Sequence, residues 1–218
     1  SARRLPESSI QCLRLLQLVN ESELDVDRVE ALILGDVSLS YKLLRYLNSP
    51  MFRRQTPVQS VRHAIITLGQ QPMQKWVSIV AMHGISGQKP SELMSTSLIR
   101  GRFNELLGKK VFGSAFSSDC FIVGMFSLLD AMLDQPMKAV IQELSLSDDI
   151  RLALLKCESP LLPVLELTLA VETGDWNTVS RLAALLRIED AEVFSLHSES
   201  IQWAAEMQPQ SADTDLPE

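Results

Sequence analysis

The sequence predicts an all-α protein, and three observations carry the prediction. Apolar residues recur at three- and four-residue spacing along most of the chain, the period of a helix with one buried face. No stretch alternates apolar and polar residues as a half-buried strand would. Gly, Pro, Asp and Ser fall between the periodic stretches, where helix caps and stops belong.

Each element follows from that pattern. Residues 7–20 form a first helix with Ile10, Leu13, Leu16, Leu18 and Val19 as its apolar residues. Asp25 or Asp27 opens a second, with Val29, Leu32 and Ile33 inward and Gly35 closing it. Asp36 caps a third helix. Leu39, Leu43, Leu44, Tyr46 and Leu47 share its apolar face; Tyr41, Lys42, Arg45 and Asn48 lie opposite. Pro50 disfavours helical geometry at Ser49 and ends it. The fourth helix carries Val58, Val61, Ala64, Ile65 and Leu68, with Gly69 as its stop. Pro72 starts the fifth, with Met73, Trp76, Val77, Val80 and Ala81 inward and His83-Gly84 at its end. The sixth runs from Ser91 to Leu107, and Gly108 to Ser117 read as a connector. Residues 119–134 form one deeply apolar helix, ended by Gln135-Pro136. Short helices at 137–144 and 148–157 follow, the second capped by Ser147. Pro160 and Pro163 bracket the start of a helix reaching Thr173. Gly174-Asp175-Trp176 is a stop and restart, leading to helices at 176–186 and 189–205.

The 218 residues suffice for one large domain or two small ones. We expect helical parts at 1–115 and 116–207, either separate or one continuous domain, and a disordered polar tail at 208–218. No apolar run reaches transmembrane length. The start, SARRLPESS, has no apolar signal-peptide core, so a cytoplasmic location is expected. The missing initiator Met reads either as a fragment of a longer chain or as a start that is not the natural one. Cys12, Cys120 and Cys157 are scattered among apolar neighbours and read as buried free thiols. Residues 1–110 carry 15 Lys and Arg against 9 Asp and Glu, and residues 111–218 carry 5 against 18, so net charges of +6 and −13 divide the chain. Chance plus an acidic tail is the plain reading of that asymmetry, and a basic half that meets an acidic partner or nucleotide the sharper one; the basic residues are dispersed without aromatic interleaving, which argues against nucleic acid.

The third and fourth helices carry a longer pattern: D-x-x-L-S-x-K-L-L-R-Y-x-N-S-P-x-F, then S-V-x-x-A-I-x-x-L-G. Its residues are Asp36, Leu39, Ser40, Lys42, Leu43, Leu44, Arg45, Asn48, Ser49, Phe52, Ser60, Ala64, Ile65, Leu68 and Gly69. This pattern resembles the opening of the HDOD domain, a bacterial signalling domain related to HD-type phosphohydrolases. Val37 departs from the family's usual proline, a tolerable change at a first helical position. The resemblance covers roughly residues 5 to 190 and implies a multi-helix HD-like bundle with additional C-terminal helices. Residues 119–134 and the later V-E-T-G-D-W look like the C-terminal HDOD part of bacterial EAL–HDOD proteins. The string Glu30-Ala31-Leu32 lies in an amphipathic helix and is a coincidence with the EAL family's name.

HD hydrolases hold metal with an upstream histidine, an adjacent His-Asp pair and a further Asp, activating water against a phosphoester. The resemblance places Ser127 and Leu128 where the pair would stand, and Ser95 to Ser97 where the upstream histidine would fall. It therefore implies no catalytic residue, no metal ligand and no cofactor. Phe126 and Leu128 suggest that the old pocket is plugged. His63, His83 and His197 read as surface histidines. The expected activity is a non-catalytic signalling module working through regulated protein contacts, with other signalling proteins or an N-terminal EAL domain as partners. Tyr41, Lys42, Arg45, Asn48 and Arg62 are the candidate contact surface; a plain solvated face with a helix cap is the simpler reading of Tyr41, Arg45 and Asn48. The alternatives are a divergent metal-dependent phosphohydrolase using Asp130, Asp134 and His83, or a nucleotide sensor with Arg100 and Arg102 lining the old pocket. Bound metal or nucleotide separates the three.

Overall fold

A computed structural model describes residues 7–21, 23–47, 60–86, 91–142, 144 and 146–207. Among these residues every regular element is helical. The predicted disordered tail and the stretch holding Asn48, Phe52 and Val58 lie outside the described residues.

The chain divides into two compact units that interleave along the sequence. The first comprises residues 1–88 and 129–151, the second residues 89–128 and 152–218. The division expected between residues 115 and 116 falls inside the second unit, within a 3-10 turn at Ser114–Phe116. Sequence periodicity reveals single helices; the close packing that ties 91–112 to 117–126 depends on contacts it does not display.

The first unit begins with α1 (Glu7–Val19), α2 (Val26–Leu34), α3 (Val37–Leu47), α4 (Val61–Leu68) and α5 (Gln70–Ser86). Asp25 accepts the Arg28 amide, Asp36 the Leu39 amide and Ser60 the His63 amide, so α2, α3 and α4 each start on a side-chain cap. Leu39, Leu43 and Leu47 are buried, with Leu44 and Tyr46 half-buried beside them. Gly69 ends α4 at φ 70°, in a left-handed region open to glycine. α5 starts two residues before Pro72, which thereby occupies the first turn, where its missing amide costs nothing. α1 packs on α5, and α2, α3 and α4 pack on one another. α8 (Leu129–Leu133), α9 (Met137–Gln142) and most of α10 (Asp148–Leu154) complete the unit, with α8 against α5.

The second unit is built on α6 (Ser91–Phe112) and α7 (Ser117–Phe126). α6 runs straight through the expected connector at Gly108, because that glycine lies against Cys120 and leaves no room for a side chain. α7 ends at Phe126 instead of continuing to residue 134. Ser127 and Leu128 form a turn, where the Ser127 amide bonds the Gly124 carbonyl at 3.3 Å. α11 (Leu162–Thr173) and α13 (Asp190–Met207) pack on α6, and α12 (Trp176–Leu186) packs on α11 and α13. Gly174 is left-handed at φ 70°, and Asp175 accepts the Thr178 amide, as the stop-and-restart signal predicts.

Candidate functional site

The positions of interest in the second unit lie where α6, α7 and α11 meet. Arg100 and Asn104 are one turn apart on α6, so they share a face. Gly124 lies in the last turn of α7, and a Cβ there would collide with the Arg100 carbonyl. The bare glycine allows α7 to lie directly on the α6 backbone. That approach brings Ser127 within reach of the Arg100 side chain.

Arg100 then links three helices. Its Nη1 donates to Ser127 Oγ at 2.9 Å, and the Ser127 hydroxyl donates to the Gly124 carbonyl at 2.7 Å. Its Nε and Nη2 donate to Glu172 Oε2 and Oε1, both at 2.7 Å. This is a bidentate arginine–carboxylate fork, the strongest geometry for such a pair. The Arg100 side chain is only 11% exposed while Glu172 retains 39%, so the cation depends on its partners more than the carboxylate does. Below it, Asn104 Nδ2 donates to the Arg100 carbonyl and to Thr168 Oγ1, each at 2.9 Å. Asn104 Oδ1 and Ser97 Oγ are buried without a hydrogen-bond partner among the described residues.

A second cluster borders the first. Arg102 binds Glu105 and Glu199, at 2.9 and 2.7 Å, and its guanidinium lies 5.9 Å from the Trp203 ring centroid. His197 packs edge-on against the buried Phe103, with ring centroids 5.1 Å apart. Burial pushes its imidazole below the ordinary histidine pKa, and Glu172 partly offsets that. His197 is thus a half-buried packing residue, where a surface histidine is expected: Ser195, Ser198 and Glu199 around it are exposed, but Ser200, one turn on, is buried with it. His83 departs from expectation likewise. Its Nδ1 sits 2.9 Å from the Ile79 carbonyl, and burial lowers its pKa. His63 is exposed as expected.

The remaining sequence-derived residues separate. Phe126 is buried and Leu128 half-buried at the turn. Asp130 accepts the Ala131 amide at 2.8 Å, and Asp134 has φ 53° at the end of α8. Among the described residues no three His, Cys, Asp or Glu assemble into a group able to hold a metal. Cys120 is buried with its thiol pushed up to about 12, while Cys157 is exposed, where burial was expected: it follows the last turn of α10. Tyr41 and Lys42 stand exposed on α3, Tyr41 at 63%. Arg62 is exposed too, but it bonds Asp27 at 2.7 Å and Glu30 at 2.6 Å across α2 and α4. Asn48 and the Arg45 side chain lie outside the described residues.

Glu172, Asn104 and Thr168 escape sequence reasoning. Their one signal is Glu172 within V-E-T-G-D-W, and nothing there points to a partner 72 residues away.

Residues 5–159 match the HDOD domain, which leaves α11 to α13, and with them Glu172, beyond the matched stretch. A Vibrio cholerae protein named cyclic di-GMP phosphodiesterase CdgJ is 35% identical over 202 residues, 93% of this chain and 46% of that one. The uncharacterized protein YuxH of Bacillus subtilis is 32% identical over 192 residues, 87% of this chain and 46% of that one. The chain therefore spans about half the length of these relatives. A crystal structure of an HDOD domain protein of unknown function from Geobacter sulfurreducens superposes with TM-score 0.51 at 16% identity, covering 97% of this chain and 78% of that one. That likeness concerns the fold. No helix among the described residues is long and apolar enough to cross a membrane.

Proposed function

The chain belongs to the HDOD domain family, and from that premise we propose that it is the non-catalytic regulatory module of a cyclic di-GMP-related signalling protein. The Arg100 cluster carries the reading. The family resemblance assigns Ser127 to a metal-ligand position, yet its oxygen accepts from a guanidinium and its proton goes to a carbonyl. With Arg100 donating to it and its own proton given to the Gly124 carbonyl, that oxygen is already engaged where a metal ligand would need a free lone pair. The neighbouring Leu128 offers no lone pair. The phosphodiesterase name belongs to a relative about twice as long, so the activity would reside in the half that this chain does not align with. An EAL domain, or another signalling protein, is the proposed partner, met through the surface around Tyr41, Lys42, Arg45, Asn48 and Arg62.

The test combines elemental analysis of the purified protein with cyclic di-GMP hydrolysis and a thermal-shift scan of nucleotides and cyclic dinucleotides. We expect no stoichiometric transition metal, no turnover and no shift. Stoichiometric metal with metal-dependent hydrolysis would establish a phosphohydrolase instead. Metal-free protein stabilised by a nucleotide would establish a sensor.

A further inference from the structure

We propose that the outer face of α13 is a docking seam for a basic amphipathic helix of a partner protein. α13 buries Val193, Ser200, Trp203 and Ala204 on its inner side. A helix with one packed side ordinarily presents charged residues on the other. Here the outer side carries two stripes, one of Ser195, Glu199, Gln202 and Glu206 and one of Ala191, Phe194, Ser198, Ile201 and Ala205, all exposed. Phe194 and Ile201 are 42% and 45% exposed. Their spacing runs three, four, three, four, the repeat of a helix that meets another helix along a shallow crossing.

The seam is less polar than its letters suggest. The Ser198 hydroxyl donates to the Phe194 carbonyl at 3.0 Å, so its donor is satisfied within the helix. Small residues alternate with Phe194 and Ile201, leaving recesses for the knobs of a facing helix. At one end Trp176, 57% exposed, stands edge-on to Phe194 with centroids 5.6 Å apart and widens the apolar surface.

Charge selects the occupant. Between Ile188 and Met207 the chain has Glu189, Asp190, Glu192, Glu199 and Glu206 and no Lys or Arg. Lys110 holds Glu192, Arg102 holds Glu199 and the Ser180 hydroxyl donates to Asp190, which leaves Glu189, two residues past the exposed Arg187, at one end of the seam and Glu206 at the other. Residues 208–218 add Asp213, Asp215 and Glu218 and no base, so this segment brings no complementary charge to the seam. A second copy of α13 would set carboxylates against carboxylates. A helix with apolar residues at the same spacing and Lys or Arg on its flanks meets both the seam and its rim. The inference holds whether or not the chain is catalytic, so it stands or falls apart from the proposed function.

Fluorescence anisotropy on the full chain tests it with two labelled synthetic helices. Both carry Leu at three-four spacing; one has Lys flanks and the other Glu flanks. The Lys-flanked helix is expected to bind saturably and the Glu-flanked helix not to bind. Ile201→Glu and Ala205→Glu should each weaken binding about tenfold, the scale of a disrupted interface centre. They should do so although each adds negative charge, which separates seam recognition from bulk attraction. Both side chains are exposed, and circular dichroism checks that the variants stay folded. Absence of Lys-flanked binding, or equal binding by the variants, overturns the proposal. So does a dimer seen by sedimentation that Ile201→Glu dissociates, since a second copy would then own the seam.

Discussion

Arg62 in the first unit and Arg100 in the second each tie two or three partners together, and the two ties differ in weight. Arg62 bonds Asp27 and Glu30 from a side chain that is 49% exposed. Arg100 bonds Glu172 and Ser127 from a side chain that is 11% exposed. The ionic chemistry is the same; the difference is what water offers when the tie breaks. Arg62 and Asp27 can be solvated where they stand, with Glu30 half-buried beside them, and such largely exposed pairs contribute little. Arg100 has been taken out of water, so it is stable only while its fork is filled. The comparison teaches that a helix crossing can make one arginine structural and leave another ornamental.

The strongest way to break the contrast is to lift α7 off α6. Gly124→Val puts a branched side chain against the Arg100 carbonyl carbon, which even a lone Cβ would approach to 2.6 Å. Overpacking of this kind should cost upward of about 2 kcal/mol, read from urea denaturation of the full chain. An unchanged midpoint would mean that the two helices separate without loss. A direct comparison comes next. Arg100→Leu should cost about 2 kcal/mol, less than a fully buried pair because Glu172 is 39% exposed. Arg62→Leu should leave the denaturation midpoint nearly unchanged, at low and high salt alike. Equal losses in the two variants would sink the argument from burial.

The smallest effect concerns pH. Burial beside Phe103 depresses the His197 pKa, so the folded state favours the neutral ring. Stability from this group is complete above the unfolded value of about 6.5 and is lost as pH falls below it. The melting temperature should therefore drop between pH 7.5 and 5.5, and drop less in His197→Gln. Identical slopes would show that His197 does not carry the dependence, and His83, which burial depresses as well, would be the next variant to measure.

Most helices were legible because their caps are local. Asp25, Asp36, Ser60, Gly69 and Asp175 all act within a few residues of their own position, and sequence displays them directly. Two departures come from distance along the chain. Gly108 looked like a helix stop until Cys120 supplied the reason for it. Ser127 looked like mid-helix until Arg100 and the Gly124 carbonyl accounted for the turn. At the candidate site the resemblance drew attention to Ser127, Leu128 and Arg100. The joining residue, Glu172, comes from a helix that no local signal connects to them.

The interleaving of the two units has a consequence for how the protein is made. The amino end emerges first from the ribosome, yet α5 waits for α8, which arrives only with residues 129–133. By then α6 and α7 have already been synthesised, still without α11 and α13. Each nascent unit thus spends part of translation with an apolar face lacking its later partner. No single cut of the polypeptide releases one unit free of the other's residues. Ribosome pausing near residue 128 would prolong that unfinished interval more than pausing near residue 88, because α6 and α7 are then present but uncovered.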